Sequence, residues 1–185
     1  PEHIDRDAVL GAIKPNIDVD CIGAMNNENF YNGKGPFIPP TAGAIWHILE
    51  YVFAESGDDM AGKKFVVVGQ GELVGKPTAF LLKQQGLNVI AVDKSTDDIA
   101  SVTRDADVVI SGTGIPKLLN GEMIKSGAIV IDAGTSESGA GIAGDVDLES
   151  VESVASSVSP VPGGVGPVTV AKLLQNVVVA ADIAN

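Results

Sequence analysis

The sequence predicts an α/β fold: a Rossmann-like, doubly wound, mainly parallel sheet with helices on both faces. Three observations predict it. Runs rich in Val and Ile at 64–68, 88–92, 107–111 and 128–132 alternate with helical patterns, and near-continuous apolar runs belong to strands covered on both sides. The first run passes straight into Gly69, Gly71 and Gly75, with Pro77 where a helix begins. In that strand–turn–helix arrangement the backbone can approach a pyrophosphate at the positive end of the helix. Finally, 22 glycines with few aromatics suit a fold of many tight turns.

Each element has its own signal. Residues 1–13 suggest a short helix, with Asp5 as cap and Val9, Leu10 and Ile13 as an apolar stripe. Pro15 ends it. Asp18 to Gly23 reads as a strand end or ordered loop, and the Asn- and Gly-rich stretch 24–35 as a loop. After Phe37-Ile38-Pro39-Pro40, Thr41 is expected to cap a helix running to Ser56, which Gly57 stops. Strand 64–68 leads to a helix over 76–85, stopped by Gly86. Strand 88–92 ends at Asp93, and Thr96-Asp97-Asp98 caps a short helix. Strand 107–111 runs into Gly112-Thr113-Gly114, followed by a short helix near 121–125. Strand 128–132 runs into Gly134-Thr135. Residues 137–144 read as a hairpin or exposed loop, 146–154 as a short helix and 157–161 as a last strand. A stiff elbow, Pro162 to Pro167, precedes a final helix over 169–182.

Composition narrows the function. The formal charge of −12 argues against nucleic acid or an anionic membrane surface, which need clustered Lys and Arg. No apolar run is long enough to span a bilayer. The single cysteine, Cys21, rules out an internal disulfide and fits a reducing cytoplasm. The chain begins at Pro1 rather than Met, so further sequence upstream is expected.

The candidate chemistry gathers at strand ends. Gly69, Gln70, Gly71, Val74 and Gly75 form the dinucleotide turn, spaced Gly-x-Gly-x-x-x-Gly, or else a turn whose glycines serve packing alone. Asp93 follows Gly69 by 24 residues, where an acid bonds the adenosine ribose and repels the 2′-phosphate of NADP. The alternative is a strand-terminal Asp capping the next helix; Lys94 beside it could neutralise a phosphate. Gly112 and Gly114, with Gly134 and Thr135, leave room for a nicotinamide, or are simple turn chemistry. Asp18 and Asp20 flank Val19 and, if extended, face one side. They could form a metal pair or a substrate clamp, but solvated acids are the favoured reading. His3 and His47 are isolated, no metal site is assigned, and Cys21 reads as a buried structural thiol.

Six blocks occur in order: Asp18-Val19-Asp20, Phe37-Ile38-Pro39-x-Thr41, Val68-Gly69 through Val74-Gly75-x-Pro77, Gly127 through Asp132-x-Gly134, Gly144-Asp145-Val146, and Pro160-Val161-Pro162-Gly163-Gly164-Val165-Gly166-Pro167-x-Thr169. Together they resemble the bifunctional methylenetetrahydrofolate dehydrogenase/methenyltetrahydrofolate cyclohydrolase family. The resemblance implies a cleft enzyme that oxidises 5,10-methylenetetrahydrofolate with NAD or NADP and then hydrolyses the methenyl product to 10-formyltetrahydrofolate. It implies a remnant of the folate-binding α/β domain over 1–40, a cofactor domain over 41–164, and a last helix, 165–185, packing back on the former. Asp20 would hold the pterin, and Pro162, Gly163 and Gly164 would line the folate cleft. Gly69, Gln70, Gly71, Lys94, Ser95, Thr135 and Thr169 would face the cofactor. A homodimer is expected.

This sequence departs from the family pattern in three ways. The family's Tyr-x-x-x-Lys is absent: Gly35 and Glu55 stand four residues after Tyr31 and Tyr51. No catalytic residue is therefore assigned, and little or no cyclohydrolase activity is expected from these residues alone. Gln70-Gly71 and Asp93 replace groups that help hold a 2′-phosphate, which favours NAD over NADP. Thr135-Ser136 replaces a commoner Ile-Asn pair. Two alternatives stay open: a dinucleotide-binding module without catalysis, and an unrelated NAD-dependent dehydrogenase, against which the Pro162–Pro167 string argues.

Overall fold

The computed structural model describes residues 3–138 and 141–184. Five parallel strands form one sheet in the order β2-β1-β3-β4-β7: β1 is Lys64–Val68, β2 Asn88–Val92, β3 Val108–Ser111, β4 Ile129–Asp132 and β7 Ser157–Val158. Side chains alternate between the faces. Phe65, Val67, Val108, Ile110 and Ile131 enter one core; Val66, Val68, Val109 and Val130 enter the other. The first core is covered by α3 (Pro40–Ser56), α4 (Gly75–Gln84) and Val165 at the start of α7 (Val165–Ala184). The second is closed by residues on and around α5 (Ile99–Thr103) and α6 (Leu148–Val151). The doubly wound reading holds: the central strands β1, β3 and β4 are buried on both faces, whereas the edge strand β2 is largely exposed.

Upstream, α1 (Arg6–Gly11) begins at Asp5, whose side chain accepts from Ala8 N at 3.0 Å. The expected start of this helix at Pro1 and Glu2 lies outside the described residues. The stretch 24–35 corrects the loop expectation: residues Ala24–Tyr31 form α2. Its three asparagines are poor helix formers, and tertiary contacts override them. The rings of Phe30 and Tyr31 meet Phe80 of α4 edge to face at 5.1 and 5.0 Å. The buried Asn26 amide donates to Pro15 O at 2.7 Å.

Smaller corrections concern helix starts. Thr41 does not cap α3; the helix starts at Pro40, whose missing N–H costs nothing in a first turn. Likewise α7 begins at Val165 rather than Thr169, because Pro167 sits where an N–H would be unpaired anyway. Gly57, at φ 71°, ends α3 as expected. A short hairpin joins β5 (Ser136–Ser138) and β6 (Gly141–Ala143), with Gly139 and Ala140 outside the described residues.

Candidate active site

The strand ends line up in one row. Val92 pairs with Val68, Val68 with Ser111, and Ser111 with Asp132. Hydrogen bonds carry the row one residue further: Gly69 N to Val92 O at 2.9 Å, Gly112 N to Val68 O at 2.9 Å, and Ala133 N to Ser111 O at 2.8 Å. Asp93, Gly69, Gly112 and Gly134 therefore emerge at a single edge. The strand order reverses at β1, with β2 on one side and β3 on the other. In open α/β sheets, ligands bind at such a switch point.

Three glycines here are explained by packing. Gly69 has φ +90°, and a Cβ on it would lie 2.6 Å from Gly112 O. A Cβ on Gly75 would overlap Gly69 O, and one on Gly112 would lie 2.5 Å from Val74 Cγ1. Gly71 is different: it is exposed, and nothing lies within 4 Å of where its Cβ would stand. Gln70 turns back, its Nε2 donating to Gly69 O at 2.7 Å. No side chain caps the N-terminus of α4. An open glycine face before an uncapped ten-residue helix fits an anionic group such as a pyrophosphate.

At the end of β2, Asp93 Oδ1 accepts from Ser95 Oγ at 2.6 Å and Ser95 N at 2.9 Å. These bonds hold its carboxyl below the usual range, so it is charged at neutral pH. The helix that follows is capped by Asp98, not Asp93, which removes that alternative for Asp93. Lys94 and Ser95 are exposed beside it. On the other side of the switch point Gly114 (φ +71°) and Thr135 are exposed, while Gly134 is buried.

A cleft of about 960 Å³ lies next to this edge. Asp20, Asn27, Thr41, Leu73, Lys76 and Thr169 are among its walls, so it meets the glycine turn at Leu73 and Lys76. Arg6 of α1 pairs with Glu72 across it. Asp20 is exposed to the cleft, whereas Asp18 is only 4% exposed. The two acids therefore do not share a face, and Asp18 is not solvated. Backbone at Asp18 is not extended, and its carboxylate turns inward to accept from Ile22 N (3.1 Å) and Gly23 N (3.0 Å). Directly after Asp20, Cys21 is buried at φ 58°, and burial beside both acids pushes its thiol up to about 12. Among the described residues no group of His, Cys, Asp or Glu is arranged to hold a metal.

Gly163 (φ +106°) and Gly164 form the turn between β7 and α7, after a cis Val161–Pro162 peptide. A Cβ on Gly164 would overlap Pro160 O. This turn stands outside the walls of the cleft that holds Asp20. Thr169 does reach that cleft, but its hydroxyl donates to Val165 O at 3.1 Å.

Residue-level reading gave no role to Asn176, Asp132 or Asp145. Asn176 Nδ2 of α7 donates to Val19 O (2.7 Å) and Ile38 O (2.8 Å), strapping the Asp20 loop from 157 residues away. No local pattern reports such a pairing. Asp132 and Asp145 lie in two of the six ordered blocks, and that placement was the available signal.

Residues 39–185 match the family model "Tetrahydrofolate dehydrogenase/cyclohydrolase, NAD(P)-binding domain". The chain is 41% identical over 177 residues to bifunctional protein FolD 2 of Desulfitobacterium hafniense, covering 96% of this chain and 61% of that one. It is 43% identical to bifunctional protein FolD of Caldanaerobacter subterraneus, with 95% and 61% covered. Its fold matches the bifunctional FolD enzyme of Campylobacter jejuni at TM-score 0.89 and 36% identity, covering 100% and 65%. It also matches the Trypanosoma brucei FolD complexed with NADP cofactor and inhibitor, at TM-score 0.86 and 38% identity, covering 100% and 64%. The chain thus spans about three fifths of the length of the curated relatives it matches. No helix among the described residues is long and apolar enough to cross a membrane.

Proposed function

The chain belongs to the tetrahydrofolate dehydrogenase/cyclohydrolase family, and from that premise we propose that it forms the dinucleotide-binding part of an enzyme of one-carbon folate chemistry. The reaction is the NAD(P)-dependent oxidation of 5,10-methylenetetrahydrofolate to the methenyl compound, with hydrolysis to 10-formyltetrahydrofolate in the whole protein. The dinucleotide, when bound, supplies the hydride acceptor. The observation that carries this reading is Gly71: at a turn on the switch point, neither packing nor a left-handed backbone asks for glycine there.

Each group has a part. Gly71 lets the pyrophosphate approach the positive end of α4, with Gly69, Val74 and Gly75 fixing the turn. Asp93 and Ser95 take the adenosine ribose, and the charged Asp93 repels a 2′-phosphate, so NAD is preferred. Gly112, Gly114 and Thr135 leave room for the nicotinamide. In the cleft, Asp20 bonds the pterin; Pro162, Gly163 and Gly164, outside its walls, shape the folate side from the turn before α7. Positioning of this kind suffices for hydride transfer. Hydrolysis needs a group to move protons; with Tyr-x-x-x-Lys absent, these residues alone have little cyclohydrolase activity. The division at residues 40 and 165, a cytoplasmic location and a homodimer belong to the same reading.

Calorimetric titration with NAD and with NADP tests it. NAD is expected to bind more tightly. Tighter NADP binding would overturn the role given to Asp93, and binding of neither would overturn the dinucleotide site. The variant Gly71→Ala sharpens the test. It should change folding stability by less than about 0.5 kcal/mol yet weaken the dinucleotide roughly tenfold, a loss of about 1.4 kcal/mol.

A further inference from the structure

Two carboxylates lie beneath the strand ends, away from solvent: Asp145 is 0% exposed and Asp132 is 3% exposed. Asp145 Oδ2 accepts from Ser111 Oγ at 2.7 Å and Thr113 N at 2.6 Å. Asp132 Oδ1 accepts from Gly134 N at 2.9 Å and Asp145 N at 3.1 Å, and its Oδ2 accepts from Val146 N at 2.9 Å. One carboxylate therefore pins the loop after β3, and the other pins both the loop after β4 and the segment that carries the first. Their packing is reciprocal. A Cβ on Gly134 would overlap the Asp145 carboxylate, and one on Gly144 would overlap that of Asp132.

Burying two carboxylates together is costly, and well-packed apolar residues often serve stability as well or better. Burial pushes the Asp132 carboxyl up from its ordinary value, while three N–H donors oppose that shift. Asp145 Oδ1 has no hydrogen-bond partner among the described residues. What the arrangement supplies is a fixed geometry for the two loops it ties together.

The place of that geometry follows from the row of strand ends. The adenosine ribose belongs at Asp93 after β2, and the pyrophosphate at the turn after β1. The remaining half of the dinucleotide then extends over the ends of β3 and β4. We propose that Asp145, seated on Asp132, is a positioning residue for the nicotinamide, setting Gly112–Gly114 against Gly134–Thr135 at the width that ring requires. This rests on the dinucleotide reading above. The turn at Gly69–Gly75 rests on Gly112, which the sheet holds through its N–H to Val68 O, so the adenine half depends on Asp145 less than the nicotinamide does.

The test compares NAD with ADP-ribose, which lacks only the nicotinamide, by calorimetry on the unaltered chain, Asp145→Ala and Ser111→Ala (or the 2′-phosphorylated pair if NADP binds more tightly). Asp145→Ala should weaken NAD about tenfold, the scale of a lost charge-assisted hydrogen bond, and leave ADP-ribose within about twofold. Ser111→Ala deletes one hydroxyl and should show the same selectivity at roughly threefold; it decides the matter if Asp145→Ala does not fold. Equal weakening of both ligands, or of neither, would mean that the carboxylates only hold the fold, and the proposal would be overturned. An unaltered chain that binds ADP-ribose as tightly as NAD would also overturn it. Binding of neither ligand by the unaltered chain would instead remove the dinucleotide site itself, and the proposal with it.

Discussion

The turn at Gly69–Gly75 and the loop at Asp18–Gly23 both bend the backbone sharply beside one cleft, and they are held by different means. In the first, backbone rests on backbone. Gly75 lies under Gly69 O, and Gly69 lies against Gly112 O, so a single methyl group has nowhere to go. In the second, side chains tie the backbone from several directions: Asp18 to Ile22 N and Gly23 N, Asn26 to Asp18 O, and Asn176 to Val19 O. The residue at positive φ is a buried cysteine rather than a glycine. A turn made by close approach tolerates no added atom where backbone meets backbone, but needs no side-chain partner. A turn made by hydrogen bonds tolerates side chains and fails when a partner is lost.

Four substitutions break or sharpen this contrast. The largest effect is expected from Gly75→Ala, because its Cβ meets backbone that cannot move aside. A loss of about 3 kcal/mol or more, read by urea denaturation, is expected from overpacking of this kind. A loss below about 1 kcal/mol would show that the glycine turn yields. Next is Asp18→Ala, which strands two N–H donors, that of Gly23 being buried. About 2–3 kcal/mol should be lost, together with the fixed position of Asp20. Asn176→Ala follows at about 1–2 kcal/mol for two bonds to carbonyls. It should loosen the Asp20 loop without disturbing the glycine turn, as hydrogen exchange at Cys21–Gly23 against Gly69–Gly75 would report. The smallest effect is Cys21→Gly, which makes the polar loop resemble the glycine turn. Relief of left-handed strain is offset by lost burial and a freer unfolded chain, so the net change should stay within about 1 kcal/mol. A larger loss would mean that the thiol's packing holds the loop.

The same contrast explains what could be read in advance. The glycine turn, its strand and its helix are contiguous, so their signals survive in any short window. The polar loop is not contiguous with its partners. Its strap comes from Asn176, and its neighbour α2 is a helix because Phe30 and Tyr31 meet Phe80. In isolation, Ala24–Tyr31 carries the composition of a loop, and the paired acids Asp18 and Asp20 look alike. Burial separates them, turning one into a brace and leaving the other in the cleft.

The sequence alone determined the parallel sheet, the glycine turn, a cap within Thr96–Asp98 and Gly57 as a stop, because periodicity, φ preference and capping are local properties of a few residues. The ordered blocks determined the family. Tertiary structure alone decided that Asp93, Gly69, Gly112 and Gly134 emerge at one edge, since strand register sets that row. It also decided that Asp132 and Asp145 face each other beneath the row, and that Gly71 has open space on its free side without a left-handed backbone. Whether a glycine is needed by its neighbours, or a carboxylate is buried, depends on atoms far away in the chain, and those are brought into contact only by folding.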